Sequence, residues 1–556
     1  MLAPFSHYLQ SNRAPSEDEA CKIKALRVNP LQEISVIDVE IEQLEGILNS
    51  LKRKRAHIQK SIDDCSTILA PVRRLPVEIL GVIFSYCLAT HRNPIVSTTE
   101  APILLTQICH DWRSIAFSIP QLWCRLYTPL FHSCLHFQPE NQAFEWKHRM
   151  EAHSETVRRW LKLSATCPLS ITIMPTGDIS HSPILDVIMQ SSQRWQQLEL
   201  GYLYDSEILN RLLSLSADDL PMLREIRLHS LQNSMDDGSR IEDLWYQSGL
   251  FTAQGLRDIF IDDTGVYDTR AFRAYIPPNW KNLNRLFIHN PVALELVNRM
   301  LNCCCNLVAC LLFIAYDTHS DVPITLPAFP LLTFLSLQGN VTSCSRLFSN
   351  IEAPSLRTLD YQGDFPDEDE EFGLLNFLQR INCLETLRVD EHALKYFGLI
   401  PSVTHLVLGN SKKLRQWIGY DPRPELASAI KTLCKIKRQN SPNSVPTVLF
   451  PSLEVFEAYD VSGVLTDTMV MEFIMGRIDA TGLNTGVSKL RKVLVEFMRT
   501  RQTDIVPEVS EYAQAAGIEL ELDLVYRTGK ESDESWSPSF GLSEDDVSWL
   551  HPLYDY

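Results

Sequence analysis

Leu332-Thr333-Phe334-Leu335-Ser336-Leu337-Gln338-Gly339-Asn340 is the stretch on which the architecture turns. Its leucines are spaced by three and then two, and an asparagine follows three residues later. On an extended strand alternate side chains share a face, so Leu335 and Leu337 point together into a core. Looser copies of the pattern recur along the chain. They are Trp195/Leu198/Leu200, Leu223/Ile226/Leu228, Leu256/Ile259/Ile261, Leu283/Leu286/Ile288 and Leu307/Cys310/Leu312 before it. After it come Leu356/Leu359/Tyr361, Leu384/Leu387/Val389, Val403/Leu406/Leu408, Leu453/Phe456/Ala458 and Leu490/Val493/Val495. First residues at 256, 283, 307, 332, 356 and 384 are separated by 27, 24, 25, 24 and 28 positions. Helical stretches such as 292–301, 373–381 and 468–478 lie between. A strand followed by a helix, repeated at this period, buries its apolar ladder only by stacking on its neighbours, which predicts a solenoid.

The pattern L-x-x-L-x-L-x-x-N resembles the leucine-rich repeat. That resemblance implies a curved parallel sheet, strands inside the curve and helices outside. The interval of 50 from 403 to 453 breaks the period, with a helix expected at 425–436 and a polar loop at 438–447.

A second signal lies upstream. Leu75-Pro76-Val77-Glu78-Ile79-Leu80-Gly81-Val82-Ile83-Phe84 places a proline where a helix starts and Glu78 in its first turn. Ile79, Leu80, Ile83, Phe84, Cys87 and Leu88 then form a broad apolar helical face. Leu105, Ile108, Cys109, Trp112, Ile115 and Ala116 repeat the idea, followed by Pro120-Gln121-Leu122-Trp123. The order of residues resembles the F-box, the module that docks substrate receptors onto the Skp adaptor of SCF ubiquitin ligases. Carried over by position, the resemblance makes Leu75, Pro76, Ile79, Leu80, Ile83, Phe84, Cys109 and Trp112 the adaptor-binding residues. One departure is the polar stretch 89–102, which replaces the usual short middle segment and is expected to loop out.

Upstream again, Ile34, Ile37, Ile41, Leu44, Leu48, Leu51, Arg55, Ile58 and Ile62 alternate in steps of three and four, a coiled-coil seam. A homodimer through this helix and packing onto its own chain are both compatible with it. The expected order is therefore a disordered 1–30, a coiled-coil helix over 31–70, the F-box over 71–127 and a helical linker over 128–168. The leucine-rich-repeat solenoid follows over 169–525, then an acidic disordered tail over 526–556. The fold class is mainly α plus α/β. In the linker, 143–163 reads as a helix with Trp146, Val157, Trp160 and Leu161 in its core.

The repeat strands offer a binding surface. Residues between the buried ones point to the open side, and stacked strands lie about 4.8 Å apart. Phe260, Phe287 and Leu311 on successive strands predict an apolar patch flanked by Arg227 and Arg388, with Asp360 on the same strip. These six are the expected client-binding residues. The competing reading is that a loop covers them or that the register is off by one.

Composition narrows the rest. A net charge of −18 argues against nucleic acid, whose phosphates call for clustered Lys and Arg. The 14 cysteines show no CxxC pair. His132, Cys134 and His136 alternate but lack a fourth ligand, so packing is expected rather than zinc. No nucleotide, hydrolase or metalloprotease motif is present, and neither catalysis, metal nor cofactor is expected. Without a secretory signal or a membrane-length apolar run, the expected place is the cytoplasm. Lys52-Arg53-Lys54-Arg55 reads either as solvated helix or as a nuclear import signal. The leading expectation is a non-catalytic SCF substrate receptor that joins a client, through the Skp adaptor, to cullin. A scaffold acting outside a ligase is the alternative.

Overall fold

The computed structural model of the 556-residue chain describes residues 3–10, 12–131, 140–176, 183–201, 206–229, 248–262, 280–315, 323–363, 373–389, 400, 402–409, 449–460, 465–482, 486–497 and 499–526. The expected helix at 425–436, the His132/Cys134/His136 triplet and the acidic tail beyond Tyr526 lie outside these residues. The chain divides into two compact units, Met1–Val82 and Ile83–Tyr556.

The first unit is built around α1 (Glu17–Leu69), a helix of 53 residues. Its start corrects the expectation that 1–30 is disordered. Ser16 and Glu19 form a reciprocal capping box: the Ser16 hydroxyl accepts from the Glu19 N–H, and the Glu19 carboxylate accepts from the Ser16 N–H at 3.0 Å. Two amides of the first turn are thereby satisfied. Tyr8, in the 3-10 helix Ala3–Gln10, donates to the same carboxylate at 2.9 Å. Hydrogen bonds from Ser16, then from Tyr8, hold the Glu19 carboxyl down at about 2. Pro30 lies inside the helix and does not end it. Every residue from 31 to 69 is exposed, the expected seam included.

The helix α2 (Val77–Tyr86) runs across the division between the units. The second unit continues through α3 (Leu105–Ile108) and α4 (His110–Ser118) into one sheet. Its strands are β1 (Arg125–Phe131), β2 (Leu169–Thr176), β3 (Trp195–Leu200), β4 (Glu225–His229), β5 (Asp258–Asp262), β6 (Arg285–Val292) and β7 (Ala309–Ile314). There follow β8 (Phe334–Gly339), β9 (Thr358–Gly363), β10 (Thr386–Val389), β11 (His405–Leu408), β12 (Val455–Asp460), β13 (Lys492–Phe497) and β14 (Glu521–Tyr526). All 14 lie side by side in chain order, every pair is parallel, and the sheet does not close on itself. The chain is thus a mixed α/β protein with a long N-terminal helix.

All three residues of every repeat copy are buried, from Trp195, Leu198 and Leu200 to Leu490, Val493 and Val495. In-register pairing aligns them: Leu286 with Cys310, Cys310 with Leu335, and Leu335 with Leu359. Helices close over this face. Phe348, on the helix Val341–Asn350, packs 5.6 Å from Tyr361 of β9 and 5.2 Å from Phe377 of the helix Gly373–Arg380. The helix Asp467–Gly482 sets Phe473 4.6 Å from Phe456 of β12. Asn340, which ends the most regular copy, caps the helix after β8 by accepting from the Ser343 N–H at 2.9 Å. Gly339, at φ +138, faces the Ile314 carbonyl so closely that a Cβ would come within 2.6 Å of it.

The sheet begins earlier than expected. β1 falls at the end of the stretch assigned to the F-box and pairs with β2 across α5 (Glu140–Leu163), so the supposed linker is the first crossover. Val157, Trp160 and Leu161 of α5 are buried as expected, and Trp160 meets Trp123 edge-on at 5.0 Å.

The polar stretch 89–102 does not loop out. Asn93, Pro94, Ile95 and Ala101 are buried, and the Tyr127 N–H of β1 donates to the Pro94 carbonyl at 2.8 Å. Arg125 donates to the Asn93 side chain at 3.0 Å and to the Arg92 carbonyl at 2.6 Å, while Asn93 reaches Thr172 on β2 at 2.9 Å. Arg92 grips Glu100 through two hydrogen bonds. An open sheet leaves unpaired N–H and C=O groups along its edge, and this segment covers that edge of β1 at Tyr127. At the other edge, β14 carries Glu521 and Asp523, both paired with Lys492 of β13. Charge on an edge strand discourages a further strand from adding. Among the described residues, no helix is long and apolar enough to cross a membrane.

Candidate functional site

The face of the sheet opposite the buried ladder carries the candidate site. Strand register places Arg227 beside Phe260, Phe260 beside Phe287 and Phe287 beside Leu311. The Phe260 and Phe287 rings meet edge-to-face at 5.1 Å. The Arg227 guanidinium lies 4.6 Å from the Phe260 ring centre and that of Arg285 lies 5.3 Å from it. Each such contact contributes about 0.5–1 kcal/mol at partly exposed positions and fixes a flexible cation over a rigid ring.

Carboxylates hold both arginines. Arg227 pairs with Glu225 at 2.6 Å, and Arg285 binds Asp258 through two hydrogen bonds at 2.7 and 2.8 Å. The Asp258 hydrogen bond raises the Arg285 pKa above its ordinary value. The arrangement is a half-exposed aromatic pair rimmed by neutralised guanidiniums. Aromatic and arginine side chains supply most of the anchoring energy where proteins meet.

Neighbouring strands extend the polar part. On β3 and β4, Glu199 accepts from Thr172 at 2.7 Å and pairs with His229 at 3.2 Å. Burial pushes the Glu199 carboxyl up, but hydrogen bonds from His229 and Thr172 outweigh it and hold the group below its ordinary value. A like pair, His405 with Glu457, lies at 3.2 Å on β11 and β12.

Two of the expected client-binding residues are not available. Leu311 is buried: Phe287 and Phe334, two strands apart, approach to 6.0 Å across β7 and close over it. Asp360 is buried too, accepting from Gln362 at 3.1 Å and lying 3.7 Å from Arg388. Burial, opposed by Arg388, raises its carboxyl pKa. Arg388 itself sits on β10, three strands beyond Leu311, so it does not flank the aromatic patch. The structure brings together Arg227, Phe260 and Phe287. Sequence reasoning missed Glu225, Asp258 and Arg285, although each lies two residues before a residue it singled out, and it missed Phe334 as well. Period-two alternation puts those positions on the same open face.

The residues expected to bind the adaptor also divide. On α2, Leu80 and Phe84 are buried, and Phe84 packs 4.9 Å from the Trp112 ring. Cys109 caps α4, its sulfur accepting from the Trp112 N–H. Burial makes Leu80 and Phe84 core positions rather than partner-facing ones, whereas Cys109 stays exposed and Trp112 half-buried. Pro76, Ile79 and Ile83 are exposed and Leu75 is half-buried. Val82 and Tyr86 are exposed as well; with Ile79 and Ile83 they recur at the spacing of one helical face. Ile108, which the sequence reading placed on an apolar face, is exposed, and so are Leu104 and Phe117, which it did not single out.

Among the described residues, no group of three His, Cys, Asp or Glu side chains is placed to hold a metal ion. No protein-family model matches the chain, and no curated protein matches it significantly.

Proposed function

We propose that this chain is a substrate receptor of an SCF-type ubiquitin ligase, with an F-box that docks a Skp-family adaptor and a leucine-rich-repeat sheet that holds a client protein. The observation that carries the reading is the state of α2. The helix that follows Leu75-Pro76 buries Leu80 and Phe84 yet leaves Ile79, Val82, Ile83 and Tyr86 in solvent. Exposed apolar faces of this kind mark interaction sites. The Arg227–Phe260–Phe287 cluster gives the client a second, separate surface. The mechanism is proximity: a client held near a ubiquitin carrier reacts at raised effective concentration, and this chain performs no chemical step. Cullin is reached through the adaptor.

The test is co-purification with the Skp adaptor, comparing wild type with an Ile79→Asp/Ile83→Asp variant. Both positions are exposed, so the variant keeps its circular dichroism spectrum and loses capture. Capture that survives in the variant, or is absent in folded wild type, refutes the docking assignment.

A second reading, a scaffold that works without a ligase, draws on one observation. Residues 89–102, which stand where an F-box has its middle segment, are committed to covering the edge of β1. Absence of adaptor capture by folded wild type would favour it.

A further inference from the structure

The helix α1 presents an exposed apolar seam, interrupted at Arg55. Ile34, Ile37, Ile41, Leu44, Leu48 and Leu51 are each 47–59% exposed, and Ile58 and Ile62 continue the row at 50 and 53%. At 1.5 Å per residue, positions 34–62 give a stripe of about 40 Å. A stripe in steps of three and four fits another helix with the same spacing, since only the 3.5-residue repeat keeps two seams in register. From the order of charges along α1, we infer that its partner is α1 of a second copy of this chain, lying antiparallel to it.

The flanks of the seam decide the direction. Taking Ile34, Ile41, Leu48 and Arg55 as heptad position a, and Ile37, Leu44, Leu51 and Ile58 as d, the flanking e and g positions change sign midway. Asp38, Glu40 and Glu45 flank the first half; Lys52 and Lys54 flank the second. In a parallel, in-register pair, g of one helix faces the following e of the other. Glu33 would meet Asp38, Glu40 would meet Glu45, and Arg55 would meet Arg55 inside the seam. Like charges so placed are destabilising.

Reversing one helix removes each conflict. With Leu44 against Leu48 of the other copy, Ile41 lies against Leu51, Ile37 against Arg55 and Ile34 against Ile58. Flanking positions then pair e with e and g with g, so Asp38 faces Lys52 and Glu40 faces Lys54, each twice by symmetry. Arg55 rests its aliphatic stem on Ile37 and sends its charge outward. One like-charge contact remains, Glu45 with Glu45 at the two-fold axis. Such a pairing is isologous and closes at two copies.

Sedimentation velocity on the full chain, across protein concentrations from below to above micromolar, tests the pairing and its direction together. Wild type is expected to dimerise. Asp38→Lys should weaken the dimer at least fivefold, and adding Lys52→Asp should restore it. In a parallel dimer Asp38→Lys would instead strengthen association, because Glu33 would gain an opposite charge. Oxidation gives an independent reading. Ile47→Cys, combined with Cys65→Ser, should cross-link across the axis, whereas wild type should not link through Cys65. A Cys65–Cys65 link, a dimer strengthened by Asp38→Lys, a dimer indifferent to both charge changes, or a monomer at every concentration would each overturn the inference. Adaptor capture plays no part in these readouts, so the dimer stands or falls apart from the ligase reading.

Discussion

The two faces of the sheet are made by the same strands and obey different rules. On the ladder face, position after position is apolar and buried, whether the residue is Leu286, Cys310, Leu335 or Leu359. Its composition answers to one demand, that each repeat bury itself against the next. The opposite face alternates rings, carboxylates and guanidiniums within a few strands, and these residues satisfy one another locally. Stacking specifies the first face; the second is free of that demand. The sharpest way to break this comparison is to shorten one side chain on each face. Leu359→Ala should cost about 2–5 kcal/mol in urea unfolding, by lost burial and the cavity left behind. Phe260→Ala, at a half-exposed position, should cost about 1 kcal/mol and, on the receptor proposal, abolish client capture. Equal losses would mean that the aromatic patch is core rather than surface.

The polar pairs of the open face give a smaller effect that depends on pH. Glu199 has its carboxyl pKa lowered by His229 and Thr172 against the opposing pull of burial. A lowered carboxyl contributes stability that is fully present above its unfolded pKa and is lost as pH falls through the folded value. With an unfolded value of about 4.3, the contribution is complete at pH 7 and disappears in the acid range below 4. Glu199→Gln should therefore cost about 1–2 kcal/mol at pH 7, the magnitude of a hydrogen bond to a charged group less screening. The gap from wild type should close as unfolding is repeated at pH 3. A gap that holds constant over that range would assign the effect to shape alone.

Much of the ladder face was legible because its signal is the residue type that burial selects. Strands β3 to β13 were read from leucine spacing alone. β1 escaped because it places Thr128, a polar residue, at a ladder position and so breaks the apolar pattern, although it is fully buried. The start of α1 escaped because the Ser16–Glu19 capping box lies ahead of the heptad that drew attention. The role of 89–102 was not legible at all. Polar composition suggests a loop, and only the position of β1 at a sheet edge turns Asn93 and Arg125 into a buried network. On the open face the alternation told which residues point outward, but not how far two phenylalanines lean across a neighbouring strand to bury Leu311.

The smallest expected effect is at Asp360, where the open face breaks its own pattern by burying a charge. Its side chain is 3% exposed, and Arg388 stands 3.7 Å away, too far for a tight hydrogen-bonded pair. Burial raises the Asp360 pKa despite Arg388 and Gln362. For a carboxyl the sign then reverses relative to Glu199: the ionised form is disfavoured by folding, so this group detracts from stability at neutral pH and the penalty lifts as pH falls. Asp360→Asn keeps the shape, lets Gln362 retain an acceptor, and removes the buried charge. Replacing a poorly compensated buried ion is commonly neutral or stabilising, so the variant should unfold within about 1 kcal/mol of wild type and on the more stable side. Loss of more than about 2 kcal/mol, the cost of stranding a buried partner, would show that Arg388 depends on Asp360. The open face would then be held by charge in its middle as firmly as it is by rings at Phe260 and Phe287.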